Sequence, residues 1–147
     1  MTDDKQSEGL KLLKNIQTIN RQIEQLQELI DAVYTSLTSV TVKPKEVDVQ
    51  TSLPADPMAD KVATVVEYQK TLEKYQLQLV SQQTIAIKII QQMAIDNQHL
   101  ILLRYFRGWS IEAIGSNVGY TYRWAWEKIH EAEKEFIAIY ERLHRTT

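Results

Sequence analysis

Two glycines, each followed within two residues by a hydroxyl side chain, constrain the fold more than any other feature of this chain. Gly108 precedes Ser110, and Gly119 precedes Thr121. Glycine ends helices because it readily adopts the left-handed conformation, and a Ser or Thr oxygen accepts a backbone N–H at a helix start. Residues 100–134 are therefore predicted to form three helices, the first ending just before Gly108 and the third starting at Thr121.

The apolar residues of this segment fit three helices that pack on one another. The second predicted helix has an apolar stripe made of Ile111, Ala113, Ile114 and Val118. The small residues that allow it to cross the third helix closely are Ala113, Gly115 and Ala125. The third helix extends an apolar seam to the C-terminus through Ala125, Ile129, Ala132, Phe136, Ile139 or Tyr140, and Leu143. This pattern is typical of a helix-turn-helix whose last helix is the recognition helix.

The start of the third helix is the predicted DNA-contacting site. Recognition helices touch base edges and phosphates with their first turns, and the N–H groups at a helix start suit a phosphate. Arg104 either contacts a phosphate or pairs with an acid such as Glu112. The predicted DNA-binding residues are Arg107, Thr121, Tyr122, Arg123, Trp124, Glu127 and Lys128.

These residues resemble region 4 of bacterial sigma-70 factors. The typical pattern of that region has Leu-Arg-Tyr, a Gly, a Ser or Thr, Glu-Ile-Ala, and Leu-Gly before a Ser or Thr. The matching residues are Leu103, Arg104, Tyr105, Gly108, Ser110, Glu112, Ile114, Gly115, Val118, Gly119 and Thr121. Trp124 and Trp126 depart from the pattern, because smaller or basic residues are common there. Individual base contacts are therefore not carried over from the resemblance.

The chain as a whole is similar to a group of small phage and prophage proteins. The similarity lies in its helical N-terminal part, in QTSLPADPMADKVA at residues 50–63, and in IHEAEK at residues 129–134. Those proteins resemble ArpU/RinA-like late-operon transcriptional regulators. The resemblance implies DNA binding and phage gene control, and it implies no catalytic activity.

The tryptophans of the C-terminal segment are expected to differ in exposure. Trp109 is predicted to pack in the core at the turn. Trp124 and Trp126 lie roughly 200° apart on a helix, so one of them is expected to stay exposed. We expect Trp126 to face inward beside Ala125 and Trp124 to face outward. An exposed tryptophan either contacts thymine methyl groups or sugars, or marks a protein–protein patch, and the sequence leaves both open.

Composition predicts an all-α protein and argues against several classes of site. The 147 residues include only four Gly and three Pro, and Gln, Glu, Lys, Leu and Ile are abundant, which favours long helices. Without cysteine the chain has no disulfide, thiol nucleophile or cysteine-based zinc site. The three histidines lack the spacing of a metal site, and no nucleophile or phosphate-loop motif is present. We expect no enzymatic activity, no metal and no cofactor.

The N-terminal residues and the hydropathy pattern predict a cytoplasmic protein, and the resemblance to phage proteins implies that the cytoplasm is that of a bacterial host cell. The first residues, MTDDKQSEGLK, are polar and include no apolar signal core. No apolar run approaches the length that crosses a bilayer. We therefore expect no membrane partner.

Two heptad-like stripes predict a long antiparallel, coiled-coil-like helical hairpin over residues 1–95, followed by a helix-turn-helix over residues 96–147. The first stripe, in a helix over about residues 6–37, contains Leu12, Ile16, Ile19, Ile23, Leu26, Ile30, Val33 and Leu37. The second helix is predicted to begin with Asp56 as its cap and Pro57 at its first position, and to run to about Ile95. Apolar residues that alternate by three and four form such a seam.

The region between and within these helices leaves two questions open. Residues 38–56 are predicted to be a connector, because β-branched residues and two prolines disfavour a helix. This connector is either an ordered loop or a short strand pairing of alternating valines. Gln69, Gln76 and Gln83 interrupt the second seam, and they either fix its register or lie at a wet edge.

The near-neutral charge predicts that one copy of the chain binds DNA weakly. The formal net charge is −2, and from Asn97 onward seven Lys and Arg residues oppose six Asp and Glu residues. Because phosphate neutralisation supplies most non-specific affinity, a homodimer that presents two copies is predicted. The predicted oligomerisation residues are Ile16, Ile19, Ile23, Leu26, Ile30, Val33, Leu72 and Leu79.

The sequence therefore predicts a phage or prophage transcriptional regulator that reads double-stranded promoter DNA with the helix starting at Thr121. One alternative is a small-terminase-like DNA-packaging component, although the DNA-binding domain usually comes first in such proteins. Another alternative is a protein-interaction module that binds RNA polymerase.

Overall fold

The computed structural model describes residues 7–38 and 57–145. All regular structure within these ranges is helical, so the predicted all-α class is confirmed. The elements are α1 (Glu8–Thr38), α2 (Pro57–Ile90), α3 (Ile95–Ile101), a π-helical turn (Leu102–Phe106), α4 (Ile111–Val118) and α5 (Tyr122–Arg145). The predicted connector, from residue 39 onward, and its Asp56 cap lie outside the described residues.

The two long helices start as predicted, but α2 ends earlier than predicted. It begins at Pro57 and stops at Ile90 rather than near Ile95. The chain then turns tightly, with the amide of Met93 donating a hydrogen bond to the Ile90 carbonyl at 2.9 Å. This turn brings the Met93 side chain into the core. No Gly or Pro marks the break, and for that reason the sequence pattern predicts one continuous helix.

One compact unit combines the described residues of Met1–Asn20 with those of Gln78–Thr147. Its core completely encloses the large side chains of Leu13, Ile16, Ile89, Ile101, Ile114, Ile129 and Phe136. Burial of each such side chain stabilises the fold by roughly 1.5–3 kcal/mol. This unit differs from the predicted division between residues 95 and 96, because the start of α1 and the end of α2 share a core with α4 and α5.

The second compact unit comprises the described residues of Arg21–Leu77, which are the remainder of α1 and the first part of α2. Ile23 and Ile30 of α1 are buried in it. The Lys61 ammonium of α2 donates a hydrogen bond to the Ser36 hydroxyl of α1. The two helix segments of this unit are therefore in direct contact.

The predicted oligomerisation residues are largely covered within a single chain. Ile16 is 0% exposed, and Ile23 and Ile30 are also buried. The half-buried members of the set are Ile19, Leu26, Val33, Leu72 and Leu79. A side chain enclosed in the core of its own chain adds no area to an interface with a second copy. Ile16, Ile23 and Ile30 are thus buried side chains of this chain, and the role of the whole set in oligomerisation stays a prediction.

Two further expectations about helix faces are resolved in the described helices. Gln69 and Gln76 are exposed and Gln83 is half-buried, which favours the wet-edge interpretation of these glutamines. In α5 the buried seam includes Ile139 but not Leu143, which is exposed. The seam therefore ends one turn earlier than predicted.

Candidate nucleic-acid interface

A π-helical turn connects α3 to the loop before α4. The amide of Arg107 donates to the Leu102 carbonyl at 2.9 Å, and Gly108 follows with φ = 75°. Such a turn leaves backbone carbonyls without the usual helical partners. The Asn20 side-chain amide of α1 donates to the Phe106 carbonyl at 3.3 Å. The end of the first predicted helix is thus confirmed, and a contact from α1 holds it.

Arg104 fixes the loop before α4 instead of pairing with Glu112. Its guanidinium donates to the Trp109 carbonyl at 3.0 Å. The Trp109 side chain packs against the core, as predicted. Arg104 therefore has a structural role, and Arg107, which is exposed, remains available to a ligand.

The predicted caps on α4 and α5 are confirmed. The Ser110 hydroxyl accepts a hydrogen bond from the Ala113 amide at 3.0 Å, and the Thr121 hydroxyl accepts one from the Trp124 amide at 3.1 Å. Between these helices Gly119 has φ = 80°, a left-handed conformation that favours glycine. The chain therefore passes from α4 to α5 within residues 119–121.

Gly115 allows α4 to approach the start of α5. A Cβ at this position would lie 3.1 Å from the Thr121 carbonyl oxygen and 3.4 Å from the Ala125 Cβ. The predicted close crossing is confirmed for Gly115 and Ala125. It was wrong for Ala113, whose side chain is exposed on the other side of α4. This contact sets the position of the first turns of α5 relative to α4.

One side of α5, next to its buried seam, presents a group of residues that we call the outward face. It consists of Tyr122, Arg123, Trp126, Glu127 and His130. At 100° per residue these five positions cover an arc of about 140°. Arg123, Glu127 and His130 lie farthest from the buried seam, and Tyr122 and Trp126 lie at the end of the arc nearer to Ile129. Tyr122 is 56% exposed and Trp126 is 44% exposed. The outward face therefore offers two aromatic rings to a partner.

The expectation for the two tryptophans of α5 was wrong. Trp126 faces outward, where its indole stacks on the His130 imidazole with ring centroids 3.9 Å apart. Trp124 is half-buried and stacks on Tyr120 with ring centroids 4.2 Å apart. Trp126 follows the buried Ala125 in the sequence, but the two side chains point in different directions, because successive helical residues are about 100° apart.

Trp124 and Lys128 are not part of the outward face. Both side chains line a cavity of about 570 Å³. The remaining lining residues are Ala94, Ile95, Asp96, Asn97, His99, Leu100, Val118 and Glu131. The Lys128 ammonium lies 3.7 Å from the Glu131 carboxylate within this group. The predicted DNA-binding residues Trp124 and Lys128 are thus separated from Tyr122, Arg123 and Glu127.

Arg123 has an acidic neighbour on the outward face. Its Nε lies 3.3 Å from a Glu127 carboxylate oxygen, one helical turn along α5. Both side chains are mostly exposed, so water screens the pair and its contribution to stability is small. The Arg123 guanidinium can therefore exchange this carboxylate for a phosphate without a large loss of folding free energy.

Contacts from α3, from the residue that precedes it and from the π-helical turn hold α5 in place. The Glu135 carboxylate accepts hydrogen bonds from the Ala94 amide at 3.2 Å and the Asn97 side chain at 2.7 Å. The Tyr105 hydroxyl donates to the Glu133 carboxylate. Burial, and then this hydrogen bond, raise the pKa of Tyr105 above its ordinary value. Sequence patterns did not predict these contacts, because they join residues far apart in the chain.

The described residues contain no group of three or more His, Cys, Asp and Glu side chains placed to hold a metal ion. None of the helices in residues 7–38 and 57–145 combines the length and apolar character that a membrane crossing requires.

Comparison with protein-family models finds no match to this chain, and neither do comparisons with curated proteins and with solved structures.

Proposed function

We propose that this chain is a phage or prophage transcriptional regulator that binds double-stranded promoter DNA through a sigma-70 region 4-like helix-turn-helix formed by α4 and α5. The observation that carries the proposal is the outward face, where Tyr122, Arg123, Trp126 and Glu127 are exposed together on the first turns of α5. The first turns of a recognition helix are the part that contacts base edges in the major groove.

The local geometry around this face supports DNA as its partner. The close approach at Gly115 fixes α4 against the start of α5, which limits the motion of the outward face. Thr121 caps a helix N-terminus, and the N–H groups of such a terminus favour a phosphate. Arg107 supplies an exposed cation before α4. Together these groups provide phosphate contacts beside a face that can read bases.

The phage or prophage origin, and with it the cytoplasm of a bacterial host as the site of action, rests on the resemblance described above.

Trp124 and Lys128 are left out of the proposed contacts with bases. They line a cavity with residues of α3, away from the outward face.

We further propose that α1 and α2 form a helical hairpin through which two copies associate. In the second unit, Lys61 of α2 contacts Ser36 of α1, which supports the pairing of these helix segments. The same unit exposes the apolar side chains of Leu29, Tyr34, Met58, Val62, Val66 and Leu77. An apolar surface of this kind favours association, and a dimer would bring two weakly charged outward faces to one DNA site.

RNA polymerase is a second candidate partner of the outward face. The exposed rings of Tyr122 and Trp126, and the carboxylate of Glu127 beside Arg123, are also compatible with a protein surface. Aromatic residues and arginine are enriched in protein interfaces. Binding to purified RNA polymerase without DNA would favour this function over the first.

The full chain and a labelled random-sequence DNA duplex test the proposal directly. Fluorescence anisotropy at a series of salt concentrations measures the binding constant K. The value of log K should fall linearly as log salt concentration rises, because counterions compete for the phosphates. Selection of bound sequences should then enrich a site. Absence of binding even at low salt would contradict DNA recognition, and a ring-sized mass in solution would favour the packaging alternative.

A further inference from the structure

The outward face carries aromatic rings at successive helical turns. Tyr122, Trp126 and His130 follow one another at intervals of four residues along α5. The Trp126 indole is stacked on His130 with an interplanar angle of 27°, and His130 Nδ1 lies 2.9 Å from the Trp126 carbonyl oxygen. The second contact holds the imidazole on which the indole stacks, and the Trp126 side chain remains 44% exposed. Little rotamer freedom remains to be lost when a ligand touches this ring.

The cations of these turns are poorly placed to read guanine. Arginine or lysine recognises guanine by donating to its O6 and N7 atoms. Here Arg123 lies 3.3 Å from Glu127, and Lys128 lies 3.7 Å from Glu131 beside the cavity. A carboxylate next to each cation competes for the same donors, and a neutral guanine replaces it less readily than a charged phosphate does. Hydrogen bonding to guanine is therefore not the recognition that this face favours.

The exposed apolar group of a base pair in the major groove is the 5-methyl group of thymine. We infer that Trp126, assisted by Tyr122, recognises thymine through contact of its ring with this methyl group, so that the preferred DNA site contains thymine opposite the start of α5. The inference rests on the proposed function, because it assigns a base preference to the same outward face. It explains how a face with little net charge can select a sequence.

Removal of single methyl groups from DNA tests this inference. Duplexes of the selected site are prepared in which deoxyuridine replaces thymine at one position at a time, which removes the methyl group and leaves the hydrogen bonds of the base pair unchanged. Binding of the full chain should weaken about fourfold at one or two positions, the factor that corresponds to burial of one methyl-sized group. 5-Bromodeoxyuridine, whose bromine atom is close to a methyl group in size and is apolar, should restore most of the affinity.

Substitution at Trp126 assigns the effect to this residue. The Trp126→Ala variant should bind the thymine site more weakly and should no longer distinguish thymine from deoxyuridine. Trp126→Gln provides a second variant with a longer polar side chain, and circular dichroism checks the helicity of both. Leu77→Ala is the matched control, because it also truncates an exposed apolar side chain and lies in the other compact unit. The control should keep the full methyl effect.

The possible results separate this inference from the function on which it rests. Salt-dependent binding without any methyl effect in the wild-type chain would overturn the inference and leave DNA binding intact. A methyl effect that persists in both Trp126 variants would also overturn it. Absence of binding to any duplex would overturn the proposed function and the inference together.

Discussion

A Cβ on Gly115 would lie 3.1 Å from the carbonyl oxygen of Thr121, the residue that caps α5. This distance is shorter than ordinary van der Waals contact, and the atom it approaches belongs to the backbone. The position of the start of α5 against α4 therefore depends on the absence of a side chain at residue 115.

Replacement of Gly115 by valine should destabilise the first compact unit. The branched side chain collides with the Thr121 carbonyl, and we expect unfolding free energy to fall by about 1–3 kcal/mol, the usual cost of overpacking. Urea denaturation measures this change. Ala113→Val is the matched control on the exposed side of α4 and should cost less than about 1 kcal/mol. Equal losses in both variants would contradict the close crossing.

Loss of the Thr121 hydroxyl should weaken the start of α5. The Thr121→Ala variant lacks the acceptor for the Trp124 amide, and removal of such a cap costs about 1 kcal/mol. Thr121→Ser keeps an oxygen at the same position and should retain most of the stability. Thermal unfolding of the three proteins compares them. A serine variant as unstable as the alanine variant would show that the methyl group of Thr121, and not its oxygen, stabilises the helix.

The Tyr105 hydroxyl should make stability fall at alkaline pH. Its pKa is raised in the folded state by burial and by the Glu133 hydrogen bond, whereas the unfolded side chain titrates near its ordinary value of about 10. Above that pH the unfolded chain binds fewer protons than the folded chain, so unfolding becomes more favourable as pH rises. Urea denaturation at a series of pH values from about 8 to about 11, which brackets the ordinary pKa of tyrosine, measures the loss of unfolding free energy.

Tyr105→Phe should remove this part of the pH dependence, because phenylalanine has no proton to lose. Tyr34→Phe is the control, since Tyr34 is an exposed tyrosine in the second compact unit. If the Tyr105→Phe variant loses stability with pH as steeply as the wild-type chain, the raised pKa of Tyr105 has no part in the alkaline transition.

Arg123→Ala should lower DNA affinity by removing an exposed cation from the outward face. If Arg123 contacts a phosphate, the slope of log K against log salt should become shallower by about one unit. Arg145→Ala is the matched control at the opposite end of α5 and should leave the slope unchanged. Glu127→Gln removes the carboxylate beside Arg123 and should strengthen binding at low salt. A steeper slope for Arg123→Ala would argue against the proposed contact.

Charged residues on the exposed side of α2 should shift the proposed dimer to monomer. Val62→Glu and Val66→Glu place carboxylates on an apolar surface of the second unit without disturbing its buried side chains. Analytical ultracentrifugation measures the mass. Ile16→Ala should instead lower the stability of the monomer by about 2–5 kcal/mol, because it opens a cavity in the core. A wild-type chain that sediments as a monomer would contradict the dimer outright.

Local signals in the sequence predicted local structure well. Gly119 and the hydroxyls of Ser110 and Thr121 act on backbone groups within a few residues, so the bounds of α4 and the start of α5 follow from the sequence directly. The same holds for Pro57 at the start of α2. The end of α2 was missed, because a buried Met93 and the hydrogen bonds of Ala94 with the distant Glu135 produce the break.

The candidate site was predicted in part. Helical spacing placed Tyr122, Arg123 and Glu127 on one side of α5, and all three are exposed there. Trp124 and Lys128 lie on the adjacent side of α5, where they line a cavity together with residues of α3. Spacing along one helix cannot show which edge a neighbouring helix covers.

The sequence by itself determined that the chain is helical, where α4 begins and ends, where α5 begins, and most of the buried seam of α5. Those features depend on backbone capping and on the periodicity of apolar residues, which act over one or two turns. Only the tertiary structure decided that Ile16 of α1 belongs to the core beneath α4 and α5, and that Trp126 is the outward tryptophan. These outcomes depend on which of several apolar faces pack together, and faces of similar hydrophobicity are distinguished only by the fit of their side chains in three dimensions.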